Sequence, residues 1–194
     1  MIKANPTREF FVNMLVRDIL LKQAIIELID NSIDGARTIK KDNDFTGLKI
    51  AVDFDGDSFC IRDNCGGIPL DVAQEYAFRF GRPKEKETGN NETTGIFGIG
   101  MKRALFKLGD YFEIKSKTVT TSFEVKLDVE QWENEESNNW DFPFSSYQEN
   151  LCNSLESTGT TITVSRLRKE ISADLKSRDF EKELIEHIQR LSLI

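Results

Sequence analysis

Residues Glu27–Ala36 read E-L-I-D-N-S-I-D-G-A. At about 100° per residue on a helix, Glu27, Asp30, Asn31 and Asp34 share about a third of the circumference. Ile25, Ile26, Ile29 and Ile33 fall on the other side, so the segment is an amphipathic helix with a strong apolar face. Its polar face holds three carboxylates and an amide. No Lys or Arg stands three or four residues away within the decapeptide to neutralise them. Clustered carboxylates repel one another unless a cation, or a water in need of a base, sits between them. The pattern therefore points to a metal and hydrolysis site. A solvated acidic helix face accounts for the same residues, and the helix alone leaves both readings open.

Three further segments carry chemistry. Asp63–Pro69 reads D-N-C-G-G-I-P and follows the apolar strand F-C-I-R. An Asp past a strand end, with Gly66 and Gly67 behind it, sets a carboxylate beside backbone that a ligand can approach. Such a carboxylate accepts from an amino group through a charge-assisted bond and rejects a carbonyl. That is the difference between adenine and guanine. A plain D-N-x-G turn is the alternative. Gly95–Lys102 reads G-I-F-G-I-G-M-K and opens a helix. Gly98 and Gly100 let main-chain amides near a phosphate chain, and a helix N-terminus favours anions. Lys102 and Arg103 add positive charge. The glycines follow a long polar loop rather than a strand, which argues against a Rossmann unit, and no G-K-[ST] is present. Gly89 and Gly95 stand where a lid would hinge. Ser157–Ile162, S-T-G-T-T-I, sets the Thr160 hydroxyl at the start of a β-branched strand. Alone, that is no more than a strand start.

The elements that position these residues follow from periodicity. Helices are predicted from Thr7 to about Leu21, with Thr7 as cap, and from about Leu21 to Lys40. Lys49–Phe54 and Ser58–Arg62 alternate as strands around an Asp55-Gly56-Asp57 hairpin turn. Asp71–Phe80 reads as a short helix capped by Asp71, residues 82–94 as a loop, and Gly100–Leu108 as a helix stopped by Gly109. Tyr111–Lys117, Ser122–Asp128 and Thr160–Ser165 are strands. Residues 130–157 are acidic, with scattered aromatic residues, and read as an irregular insertion. Asp174–Leu193 reads as a last amphipathic helix. Strands and hairpins mixed with helices indicate an α+β fold.

Composition sets limits. The 194 residues are 39% hydrophobic and 30% charged, ordinary for a globular domain. A net charge of −7 argues against broad binding to nucleic acid or anionic membranes. Cys60, Cys65 and Cys152 lack C-x-x-C spacing, which suggests reduced thiols, a cytoplasmic setting and no zinc. No signal peptide or membrane-spanning run is legible. The single His187 leaves no His-based triad.

The order of the four motifs between Glu27 and Ile162 resembles the ATP-binding domain of the superfamily of DNA gyrase, heat-shock-protein-90 chaperones, histidine kinases, MutL and the MORC proteins. The resemblance spans about Phe10 to Val164. G-I-F-G-I-G-M-K is nearer the chaperone and MORC forms. It implies a two-layer α/β sandwich, the Bergerat fold, with a mixed, mainly antiparallel sheet covered on one face by helices. Its core would run over about 7–166 of a single domain, 1–194. The resemblance implies ATP and Mg²⁺ as cofactors. Glu27 would be the general base. Asn31 would be the only protein ligand of Mg²⁺, with Asp34 and Asp30 behind it. Asp63 would read the adenine amino group, Gly67 would let the purine lie on the backbone, and Ile68 would wall it. Gly95, Gly98, Ile99 and Gly100 would line the phosphates, assisted by Lys102. Thr160 would support Asp63 and the adenine. Slow hydrolysis would drive lid closure and ATP-dependent dimerisation through regions outside this chain. A non-hydrolysing switch and a histidine-kinase-type phosphotransferase are the alternatives.

The sequence departs from that pattern in three places. The family's second motif is usually D-x-G-x-G, and Cys65 takes the first glycine position. Gly66 stands where gyrase-like members carry Arg. Gyrase- and MutL-type members take a phosphate-contacting Lys from a following domain that these 194 residues do not include, and the last helix ends in L-S-L-I without a stop signal. The expectation is a domain that is part of a longer protein.

Overall fold

Thr7 is extended, and its hydroxyl accepts from the Phe10 amide at 3.2 Å, which starts α1 (Arg8–Val16). The computed structural model describes residues 6–42, 44–80, 99–135 and 139–191. Helix α2 (Leu21–Ile39) begins without a polar cap. Gln23 Oε1 accepts from the Leu20 amide at 3.3 Å, so only the return half of a capping box forms. What holds α2 is its apolar stripe: Ala24, Ile25, Leu28 and Ile29 are buried.

Strands β1 (Ile50–Phe54) and β2 (Ser58–Asp63) form the expected hairpin. Asp55 Oδ1 accepts from the Asp57 and Ser58 amides, both at 2.8 Å, and fixes the turn. After β2 comes α3 (Leu70–Val72), which runs on as a π-helical turn over Ala73–Ala77. Asp71 is not its cap. The helix starts one residue earlier, after Pro69, whose carbonyl takes the Ala73 amide at 2.9 Å. Helix α4 (Ile99–Leu108) leads straight into β3 (Gly109–Lys117). Gly109 is therefore a strand residue and not a helix cap. β4 (Ser122–Asp128), α5 (Val129–Glu133), β5 (Phe144–Gln148) and β6 (Gly159–Leu167) follow.

The sheet order is β1-β2-β6-β3-β4-β5, and every pairing among the described residues is antiparallel. The last strand in sequence thus lies at the centre. Alternate residues on one face are buried, Phe59 and Ile61 on β2 and Ile162 and Val164 on β6 among them. Helices α2 and α4 cover that face, with Ala104, Leu105, Phe106 and Leu108 of α4 fully buried. This is the expected α+β two-layer sandwich.

Residues 130–157 depart from an irregular insertion. α5 opens them, β5 pairs with β4, and the aromatic side chains join the core. The Trp132 ring lies 5.8 Å from Phe106, 5.7 Å from Trp140 and 5.5 Å from Phe142. Buried Arg8 donates to the Trp132 and Asn139 carbonyls and stacks 5.0 Å from the Trp132 ring centre. The ring contacts give order to a stretch that has no period of its own. The single C-terminal helix is two, α6 (Lys169–Leu175) and α7 (Arg178–Leu191). Ser177 interrupts the pattern, its hydroxyl taking the Phe180 amide at 3.4 Å.

Phe142→Ala should cost roughly 2–3 kcal/mol in chemical denaturation, since the ring contacts Trp132, Phe106 and Phe112. A change under about 0.5 kcal/mol, the size typical of exposed positions, would mean that the segment does not belong to the core.

Candidate functional site

Asp63 ends β2 half-buried, and both its oxygens are engaged. Oδ1 accepts from the Cys65 amide at 2.9 Å and the Thr160 amide at 3.1 Å. Oδ2 accepts from the Ser32 hydroxyl at 2.7 Å. An ionised carboxylate has roughly four acceptor positions. Three are taken, which fixes the rotamer and leaves one on Oδ2 for a donor from outside. The cleft beside it is lined by Asn31 and Ser32 of α2, Gly67 and Ile68 of the turn, Met101 of α4 and Thr160 of β6.

The turn is built for close approach. Gly67 has φ +73°, and a Cβ there would overlap the Lys117 carbonyl. The Ile68 amide donates to Ser116 Oγ at 2.6 Å, and that hydroxyl donates back to the Ile68 carbonyl at 3.2 Å. Ile68 is thereby pinned as an apolar wall. The cleft is partly open, with room for a water beside these groups.

Asn31 supplies the second signal. Its Nδ2 is buried and has no hydrogen-bond partner. An unpaired buried amide is costly, and here it lines a cleft. Nδ2 is a donor, so it fits a site completed by an acceptor such as a ligand oxygen or a water. Among the described residues no group of three or more His, Cys, Asp and Glu side chains is arranged to hold a metal. A cation bound through one amide and retained waters needs no such group.

Of the other expected residues among those described, Thr160 lines this cleft and the rest do not. Glu27 is exposed and lies against the start of α4; a Cβ at Gly100 would overlap its carboxylate. Ile99 is 48% exposed at the N-terminal end of that helix. Asp34 is not among the residues that line the cleft and pairs with Arg37 at 3.3 Å. Burial, and then Asp34, raise the Asp30 carboxyl above the usual range, with Arg37 partly opposing. Gly95 and Gly98 lie outside the described residues. Thr160 reaches Asp63 through its backbone amide.

Lys102 differs most from the phosphate-facing role that the motif implied. It is 1% exposed, and Nζ donates to the Ala77 carbonyl at 2.9 Å. Burial pushes its ammonium down to about 8. In this arrangement it braces α4 against the π-helical turn. Ser32 and Ser116 were not singled out from the sequence. Their signal was present: each is a small polar residue at an inward position, among the isoleucines of α2 and after Phe112 and Ile114 on β3.

An antiparallel sheet with helices on one face, and a cleft between α2, an Asp-Gly turn and the central strand, define a two-layer ligand-binding sandwich. The family model described as "Histidine kinase-, DNA gyrase B-, and HSP90-like ATPase" matches residues 19–161, and the chain belongs to that family. The match is to the family as a whole and does not single out the chaperone or MORC branch. No curated protein matches the chain. Membership supports ATP binding, with hydrolysis as the reaction of the class.

Lys102 yields a test. In the folded protein its ammonium titrates near 8, against 10.5 ordinarily. Between those values the unfolded chain binds more protons, so this group makes stability rise with pH. Its penalty is complete below about 8 and gone above about 10.5. Lys102→Met lacks it. The stability of Lys102→Met minus that of the wild type, from urea denaturation at a series of pH values, should therefore fall steadily across this window. A difference that does not change with pH would place the ammonium in water.

Proposed function

We propose that this domain binds Mg-ATP in the Asp63 cleft and hydrolyses it slowly, the nucleotide cycle driving lid closure and association with a partner. The observation that carries the reading is the held Asp63 carboxylate, with one acceptor position left, across a cleft from the unpartnered Asn31 amide.

Each residue then has a task its chemistry suits. Asp63 accepts from the adenine amino group, and a guanine carbonyl there would face an acceptor. Ile68 and Gly67 give the purine an apolar wall and bare backbone. Asn31 would hold Mg²⁺ through its amide oxygen, and the metal would supply neutralisation of phosphate charge. Gly100 has no side chain, so α4 comes close to Glu27 and brings its N-terminus, which favours anions, toward the carboxylate. Glu27 is exposed and able to orient a water and take its proton as oxygen attacks the γ-phosphorus and the bond to ADP breaks. Most of the rate enhancement would come from positioning. Three free thiols, Cys60, Cys65 and Cys152, suit a reducing, cytoplasmic setting.

Two variants separate binding from turnover. Asn31→Ala should weaken Mg-ATP by at least about tenfold in calorimetry, the loss of roughly one good polar contact. Unchanged affinity would remove Asn31 from the site. Glu27→Ala should retain ATP while phosphate release falls on the order of a hundredfold or more; wild-type turnover would place the base elsewhere. For the base, Asp63→Asn should weaken ATP far more than a purine nucleotide lacking the amino group, and an equal loss for both would rule out adenine readout.

A further inference from the structure

Cys65 lines two spaces. One is the cleft beside Asp63; the other is a separate cavity of about 250 Å³ behind the turn. The Cys65 side chain is 3% exposed and stands between them. A glycine, usual at this position in the family the motifs resemble, would leave that wall open.

The second cavity is apolar. Ile33 and Ala36 of α2, Ile50 of β1, and Phe45 and Leu48 of the connecting loop form its walls with Cys65. Phe45 and Leu48 are the only apolar side chains between Lys40 and Lys49, and both line this space. The loop is also anchored. The Lys49 amide donates to Asn64 Oδ1 at 2.6 Å, Asn64 Nδ2 donates to the Gly47 carbonyl at 3.0 Å, and the Leu48 amide donates to the Phe45 carbonyl at 3.0 Å. Asn64 lies between Asp63 and Cys65, so one turn fixes the floor of the cleft and the mouth of the cavity. A preformed, largely apolar hollow with few polar groups is the usual form of a small-molecule site. The one charged residue lining it, among the described residues, is the exposed Lys49.

We propose that this cavity binds a small aromatic carboxylate, its ring among Ile33, Ala36 and Ile50 and its carboxylate toward Lys49. An apolar cavity of about 150 Å³ is already enough for benzene, so about 250 Å³ admits a substituted ring. The lining offers no hydrogen-bonding set for a sugar or a second nucleotide. Such a ligand touches the side chain that floors the nucleotide cleft, yet its binding does not depend on the nucleotide reading.

The probes are 4-fluorobenzoate and 4-fluorotoluene, titrated into the full chain without nucleotide and followed by fluorine NMR, with nuclear Overhauser contacts to labelled isoleucine methyls. Both should bind and show contacts to Ile33 and Ile50. Ala36→Leu fills the cavity and should weaken both at least about tenfold while unfolding stays cooperative. Lys49→Met, at an exposed position, should weaken the benzoate roughly two- to fivefold and leave the toluene unchanged. No binding by either probe up to about 10 mM, the weak end of useful affinity, overturns the proposal. So do contacts confined to other isoleucines, or equal loss of both probes in Lys49→Met. If Ala36→Leu does not fold, the contact map and Lys49→Met decide the matter. Activity with ATP, present or absent, changes none of these outcomes.

Discussion

The structure turns on one carboxylate. Asp63 collects donors from α2, from its own turn and from β6, three segments far apart in the chain. Hydrogen bonds to a charged group contribute about 1.5–3 kcal/mol each, so this residue joins the helix layer to the sheet as firmly as any apolar contact nearby. The arrangement also leaves the carboxylate short of one donor. A group that is nearly satisfied, half-buried and rigid is well suited to discriminate among ligands, because the protein does not need to reorganise to meet the right one. In the proposed reading, the atoms that hold the fold together here are also those that meet the ligand.

Around that point the backbone is shaped so that chain can approach chain. Gly67 takes a left-handed conformation against the Lys117 carbonyl, and Gly100 lets α4 reach the Glu27 carboxylate. Gly67 excludes a side chain for steric reasons that are independent of any ligand, since backbone faces it. The cleft beside it has apolar walls in Leu28, Ile61, Ile68, Met101 and Ile162, with Asn31, Ser32, Asp63 and Thr160 among them.

Much of this was legible in the sequence. The period of α2, the Asp55 hairpin, the strands and the order of the four motifs are local patterns, readable from spacing. The fold class and the family followed from them. The errors were also local in origin. Ser177 looked like one more polar residue on a helix face, yet its hydroxyl starts a new helix. The acidic stretch after Glu130 read as an irregular insertion because its aromatic residues show no helix or strand period, while Trp132 and Phe142 pack on Phe106 and Trp140 packs on Trp132. Phe106 lies in another element, and no local window contains it.

The sequence by itself determined which residue types could meet a nucleotide and along which helix and turn they lie, because helical and strand periods follow from backbone geometry. Only the tertiary structure decided how they are used. It turned Lys102 inward to the Ala77 carbonyl, set Ser32 on Asp63, and placed the last strand at the centre of the sheet, where Thr160 reaches the carboxylate. The reason is physical: periodicity is a property of neighbouring residues, whereas satisfying a buried donor or charge depends on whatever distant segment the fold brings beside it.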